Sequence, residues 1–190
     1  MMACNSKSEQ DAEDKFKDLL STEIESVIET ESELVTEMET ETEIDVLAEL
    51  GITVPEKNLD WEKLWDTNKH IYAWIYIPNT NVDYPVLQHP TDDSYYLDYN
   101  LDGSKGYPGC IYSEHKYNSK DWDDFNTFLY GHNMKNGTMF KTLHKFEDRA
   151  FFEENRYIYI YTPEHTYVYD IFAAYVSDNK HVLATNNFEN

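Results

Sequence analysis

The 190-residue sequence is poor in cysteine, arginine, glycine and proline, and it has no long apolar run. Each shortage excludes something. The two cysteines, Cys4 and Cys110, are too few for a disulfide framework and do not have zinc-ligand spacing. Arginine occurs only at Arg149 and Arg156, and 15 Lys plus Arg face 37 Asp plus Glu, for a formal net charge of −22. A phosphate-binding surface needs clustered basic residues, so nucleic acid is excluded as a partner. No run of about eighteen apolar residues exists, so the sequence holds neither a transmembrane helix nor the apolar core of a complete signal peptide. No pair of histidines brackets a glutamate at helical zinc-site spacing, and no Gly-x-Ser-x-Gly string offers a serine nucleophile.

Aromatic residues are scarce at one end only. Phe16 is the sole aromatic among residues 1–60, where eighteen acidic residues face four lysines, about −14 of the net charge. Every Trp and Tyr comes later, so the apolar surface that can drive folding lies in roughly the last 130 residues. Two parts follow: residues 1–57 as an acidic leader or stalk, disordered or partly helical, and residues 58–190 as one folded domain. Between residues 21 and 45 the Ile, Val, Leu and Met positions are too sparse to bury a helix face. The opening Met1-Met2-Ala3-Cys4 looks like the end of a lipoprotein signal, in which Cys4 would be lipidated; otherwise Cys4 is an ordinary thiol near a terminus.

The folded part begins near Asn58. Asp60 is placed to cap a short helix whose Trp61, Leu64 and Trp65 share a face. Ile71–Ile77 is β-branched and aromatic and runs into Pro78-Asn79-Thr80-Asn81, a strand followed by a turn. Asp83–Gln88 reads as a second strand in which Pro85 marks an edge or bulge. Further strands are expected at Gly109–Tyr112, Asn126–Tyr130, Arg156–Tyr161 and Thr166–Val176. Met139, Phe140, Leu143 and Phe146 have helical spacing after Asn136-Gly137-Thr138, a turn and cap signal that also matches a glycosylation sequon. Many short strands with few helices favour a closed or nearly closed β-barrel.

Several strings agree in order. Ala73-Trp74-Ile75-Tyr76-Ile77-Pro78-Asn79-Thr80 with Val82-Asp83-Tyr84-Pro85-Val86, then Tyr95-Tyr96-Leu97, then Gly109-Cys110-Ile111-Tyr112, then Tyr130-Gly131-His132-Asn133-Met134 with Met139-Phe140 and Leu143, together resemble class B sortases over roughly residues 58–190. These are cysteine transpeptidases of the Gram-positive cell wall. The resemblance implies a mainly β fold, the sortase β-barrel with an N-terminal helical extension. It implies that a cysteine thiolate attacks the peptide bond after Thr in an Asn-Pro-x-Thr-type sorting signal. An amine of peptidoglycan, or of its lipid-linked precursor, then resolves the thioacyl enzyme. His132 is by this resemblance the general acid that protonates the departing amine. Leu97 is a candidate for the apolar wall of the substrate groove, with core packing as the alternative. No metal or organic cofactor is implied. The implied partners are surface proteins with a C-terminal sorting signal. The implied location is the extracytoplasmic face of the cell membrane, with membrane contact through a missing or lipidated N-terminus.

The family also uses a cysteine in a Thr-Leu-x-Thr-Cys strand and an arginine on the strand after it. Neither string occurs before the sequence stops at Asn187-Phe188-Glu189-Asn190, so an incomplete, truncated barrel lacking its final strands is expected. Cys110, in an apolar strand, reads as an inert buried thiol rather than a substitute nucleophile. Arg149 and Arg156 read as surface or capping residues. His70, His89, His115, His144, His165 and His181 read as structural or surface histidines. The alternative function is a sortase-like binding module, or truncated remnant, without catalysis.

Overall fold

The computed structural model describes residues 47–176. The expected lipidated Cys4, the sparse segment 21–45, His181 and the closing Asn187–Asn190 lie outside the described residues. The chain divides into two units, Met1–Pro55 and Glu56–Asn190, and every element named below belongs to the second.

Helix α1 spans Trp61–Thr67. It starts where Asp60 Oδ1 accepts a hydrogen bond from the Lys63 amide at 3.1 Å, the cap read from the sequence. Trp61 and Leu64 pack on a cluster of Ile71, Leu87, Tyr96, Cys110 and Tyr112. Trp65 stays more exposed and is tied down by its indole N–H, which donates to the Ile71 carbonyl at 3.0 Å.

Strands β1 (Ile71–Tyr76) and β2 (Asp83–Leu87) form an antiparallel hairpin with a register irregularity between Ile71 and Ala73. Helix α2 (Tyr95–Asp98) follows, then β3 (Ile111–Tyr112), which runs parallel to β2. A 3-10 helix (Phe140–Glu147) and helix α3 (Arg149–Glu154) precede β4 (Tyr157–Tyr161) and β5 (Thr166–Asp170). The sheet order is β3-β2-β1-β4-β5, mixed because β2–β3 is parallel, and it is not closed among the described residues. The described residues are thus mainly β, and their open sheet agrees with the incomplete barrel expected from the sequence. Pro85 fits within β2 because β3 covers only Val86 and Leu87, which leaves the proline at a local edge.

Neighbouring residues of a strand face opposite sides of a sheet. Val86 and Ile111 enter the larger core cluster, with Ala73, Ile75, Met139, Phe146 and Ile160. Leu87 and Tyr112 enter the smaller one under α1. Two apolar layers therefore sandwich the sheet.

Three strand expectations need correction. Asn126–Tyr130 is not a strand: it makes one bridge, Tyr130 to Tyr112, with paired backbone bonds of 3.0 and 2.8 Å. The reason is Asn118, a buried side chain whose amide donates to the Asn126 carbonyl at 2.6 Å and whose Oδ1 accepts from the Phe128 amide at 2.9 Å. Ladder groups are consumed by a side chain. Gly109–Tyr112 contracts to Ile111–Tyr112, because Gly109 adopts φ +67° and the Cys110 amide donates to Tyr96 O on α2. Thr166–Val176 contracts to Thr166–Asp170; beyond Ile171, whose amide donates to Arg156 O at 2.7 Å, Phe172, Tyr175 and Val176 are exposed.

Candidate active site

His132 sits on the short segment between two bridged residues, Tyr130 and Asn133, just before the 135–136 turn. Its backbone is braced from several sides. The His132 carbonyl accepts from the Phe140 amide at 2.9 Å, and Asn133 bridges to Met139. The Met139 amide donates to Tyr84 Oη at 3.1 Å, which ties the turn to β2. On the outer side the Asn133 side-chain amide lies 2.9 Å from His144 Nε2, while His144 Nδ1 lies 2.8 Å from Glu147 Oε1. The preceding Gly131 leaves no room for a side chain: a Cβ there would meet Ile111 Cδ1 and come within 2.9 Å of Phe140 Cδ2.

The imidazole itself has two distinct edges. Nδ1 is enclosed and has no hydrogen-bond partner among the described residues. The ring meets Tyr107 edge to face, with centroids 5.0 Å apart and planes at 89°. Tyr107 is 73 % exposed although it makes this contact. Leu97 is 40 % exposed on α2, so it is not a core residue. Its carbonyl lies 2.7 Å from where a Cβ on Gly109 would be, two residues along from Tyr107. Leu97, the 107–109 segment and His132 therefore follow one another in space.

Cys110 is buried, with Sγ 3.5 Å from the Tyr99 carbonyl. Burial first, and the Asp102 charge second, push its thiol up to about 12, the opposite of what a nucleophilic thiolate needs. The arginines are engaged elsewhere. Arg149 pairs with Glu153 one helical turn away, and Arg156 grips Asp170 across β4–β5 with bonds of 3.0 and 2.7 Å. Among the described residues, no group of three or more His, Cys, Asp or Glu is placed to hold a metal ion, and no helix is long and apolar enough to cross a membrane.

Some residues that shape the site carried no sequence signal. Asn118, Gln88 and Ser113 form a buried polar group under the approach to His132: Gln88 Nε2 donates to Ser113 Oγ at 3.1 Å and to Asn118 O at 2.9 Å. Nothing in their local strings marks them. Tyr107-Pro108-Gly109 does have a turn signature, and an aromatic placed at a turn is a cue that was available.

Residues 75–190 match the model of the sortase domain. The chain belongs to the sortase family. This sortase chain is 37% identical to sortase B of Listeria monocytogenes over 116 residues, covering 61% of the chain and 45% of that protein. It is 31% identical to sortase B of Staphylococcus aureus over 130 residues, 68% of the chain and 52% of that protein. The chain spans about half the length of these curated relatives. Among solved structures, Clostridium perfringens sortase B aligns with a TM-score of 0.56 at 34% identity, covering 61% of this chain and 62% of that one. A Staphylococcus aureus sortase B–substrate complex aligns with a TM-score of 0.59 at 31% identity, covering 68% and 59%. These matches place the sortase in class B.

Proposed function

We propose that this chain carries the histidine side of a transpeptidase site that anchors surface proteins to the cell wall, with His132 as general acid. The observation that supports this reading is the imidazole itself. Within the segment that matches the sortase domain, it stands on a braced segment between two bridges with Nδ1 enclosed, which leaves Nε2 to exchange a proton with a substrate. The reaction needs a thiolate, and Cys110 is unsuited to supply it. The nucleophile belongs instead to a Thr-Leu-x-Thr-Cys strand, a string these 190 residues do not contain.

The thiolate adds to the carbonyl after Thr of an Asn-Pro-x-Thr-type signal, the C–N bond breaks, and protonated His132 gives its Nε2 proton to the departing amine. An amine of peptidoglycan or its lipid-linked precursor then attacks the thioester. Neutral His132 takes back a proton as the new amide forms and the thiolate leaves. Leu97, exposed beside the 107–109 segment, lines the groove for the signal. Residues 1–57 serve as an acidic stalk or leader, residues 58–190 as the catalytic domain, and the work is done at the extracytoplasmic face of the membrane.

The test uses a chain extended through the cysteine strand, a sorting-signal peptide and an amine acceptor. His132→Gln is expected to lower kcat/KM by about 10²- to 10⁴-fold, the ordinary worth of a positioned proton donor, and Cys110→Ser to leave it unchanged. An undiminished rate in His132→Gln would overturn the assignment of the acid. Turnover by the 190-residue chain that Cys110→Ser abolishes would overturn the assignment of the nucleophile and restore Cys110. A chain that binds the signal peptide but never acylates, even when extended, would favour the binding-module reading.

A further inference from the structure

We infer that Tyr107 is a positioning residue for His132, holding the imidazole plane through a perpendicular ring contact. This rests on the reading of His132 as the reacting histidine. An exposed tyrosine ring is ordinarily free to sample several rotamers, yet this one is presented on a backbone fastened on both sides. Before it, the Gly106 amide donates to the Asp98 carbonyl at 2.7 Å. After it, the Gly109 amide donates to Asn100 Oδ1 at 3.0 Å. Gly109 adopts φ +67° and lies so close to α2 that a Cβ would come within 2.6 Å of Tyr96 O and 2.7 Å of Leu97 O. The loop therefore cannot drift far from α2, and the ring it carries stands against the imidazole at 5.0 Å.

The other side of the contact is equally constrained. Gly131, the Phe140–His132 backbone bond and the Asn133–Met139 bridge fix the histidine backbone, but none of them holds the ring. Nδ1 has no hydrogen-bond partner among the described residues to set the ring angle, unlike a histidine oriented by a carboxylate. Among the described contacts, the edge-to-face packing with Tyr107 is the interaction that orients the side chain. An aromatic partner fixes a plane through shape and ring quadrupole, so the phenol hydroxyl is dispensable and the ring is not.

The experiment uses the 190-residue chain and needs no turnover. Wild type, Tyr107→Phe and Tyr107→Ala are treated with diethyl pyrocarbonate, and modification at each histidine is timed by peptide mass spectrometry. His115 and His144 serve as internal references. Loss of the packed ring in Tyr107→Ala is expected to speed modification of His132 about fivefold or more, with Tyr107→Phe within about twofold of wild type. The His132 ring-proton resonances supply a second signature: the ring-current shift from Tyr107 persists in Tyr107→Phe and disappears in Tyr107→Ala. Tyr107 is 73 % exposed, so neither substitution removes core packing. Equal His132 rates and unchanged resonances in Tyr107→Ala would overturn the assignment, as would Tyr107→Phe behaving like Tyr107→Ala. His132→Gln turnover decides the general-acid reading separately, so failure of one inference is distinguishable from failure of the other.

Discussion

Gly131 shows what one missing side chain contributes. The Tyr-Gly-His string places the histidine where the backbone passes between Ile111, 1 % exposed, and the Phe140 ring. A methyl group there must displace a buried isoleucine or the aromatic that begins the 3-10 helix. Gly131→Ala is expected to cost about 1–3 kcal/mol by overpacking, read as a lower urea midpoint with an unchanged slope. Stability equal to wild type would show that Ile111 and Phe140 yield without loss. The sequence displayed this glycine as part of a motif, but the cause is packing between side chains 20 residues before it and nine after it, which no local pattern encodes.

At the level of elements, legibility followed how locally each was determined. The Asp60 cap, β1, β2 and β4 were readable because their signals are nearest-neighbour ones: a capping side chain, β-branched and aromatic runs, and turn residues at 78–81. The expected strand at Asn126–Tyr130 failed because its hydrogen bonds go to a side chain eight to ten residues earlier. Asn118→Ala would leave the Asn126 carbonyl and the Phe128 amide without that partner, at about 1–3 kcal/mol for each group that water cannot reach. Faster amide exchange from Phe128 to His132, with β1 and β4 unchanged, is the expected local signature. Uniform exchange across the chain would show that Asn118 does not organise the approach to His132. The candidate site was half legible in the same sense: His132 came from a motif, whereas Tyr107 and Asn118 act through contacts distant in sequence.

The whole molecule is unusually rich in tyrosine, with 16 in 190 residues, and several are inside. Burial pushes the phenols of Tyr72, Tyr96, Tyr112 and Tyr161 up to about 12, from an ordinary value of 10.0, and raises the Cys110 thiol from 9.0 to about 12. A raised folded-state value means that the neutral form favours folding. The contribution is complete below the unfolded-state values of about 9 to 10 and is lost as pH rises toward 12. An alkaline transition between about pH 10 and 12 is therefore expected, in which tyrosinate absorbance near 295 nm rises steeply and near-ultraviolet dichroism collapses together. A shallow titration centred near pH 10 with dichroism retained would contradict it. The same kind of burial, with the Asp102 charge second, makes the Cys110 thiol unfit for nucleophilic chemistry at neutral pH.

The parallel pairing of β2 with β3 obliges the chain to cross over between Leu87 and Ile111, and that crossover closes on itself before it reaches the sheet again. The Asp98–Gly106 and Asn100–Gly109 bonds make a neck, and beyond it Asp102 accepts from Ser104 in a tip where a Cβ on Gly103 would meet nothing within 4 Å. Insertions in that tip can be absorbed without altering strand register or the footing of Tyr107. The crossover is thus a place where descendants of this chain can vary the length of the loop while inheriting an unchanged histidine environment.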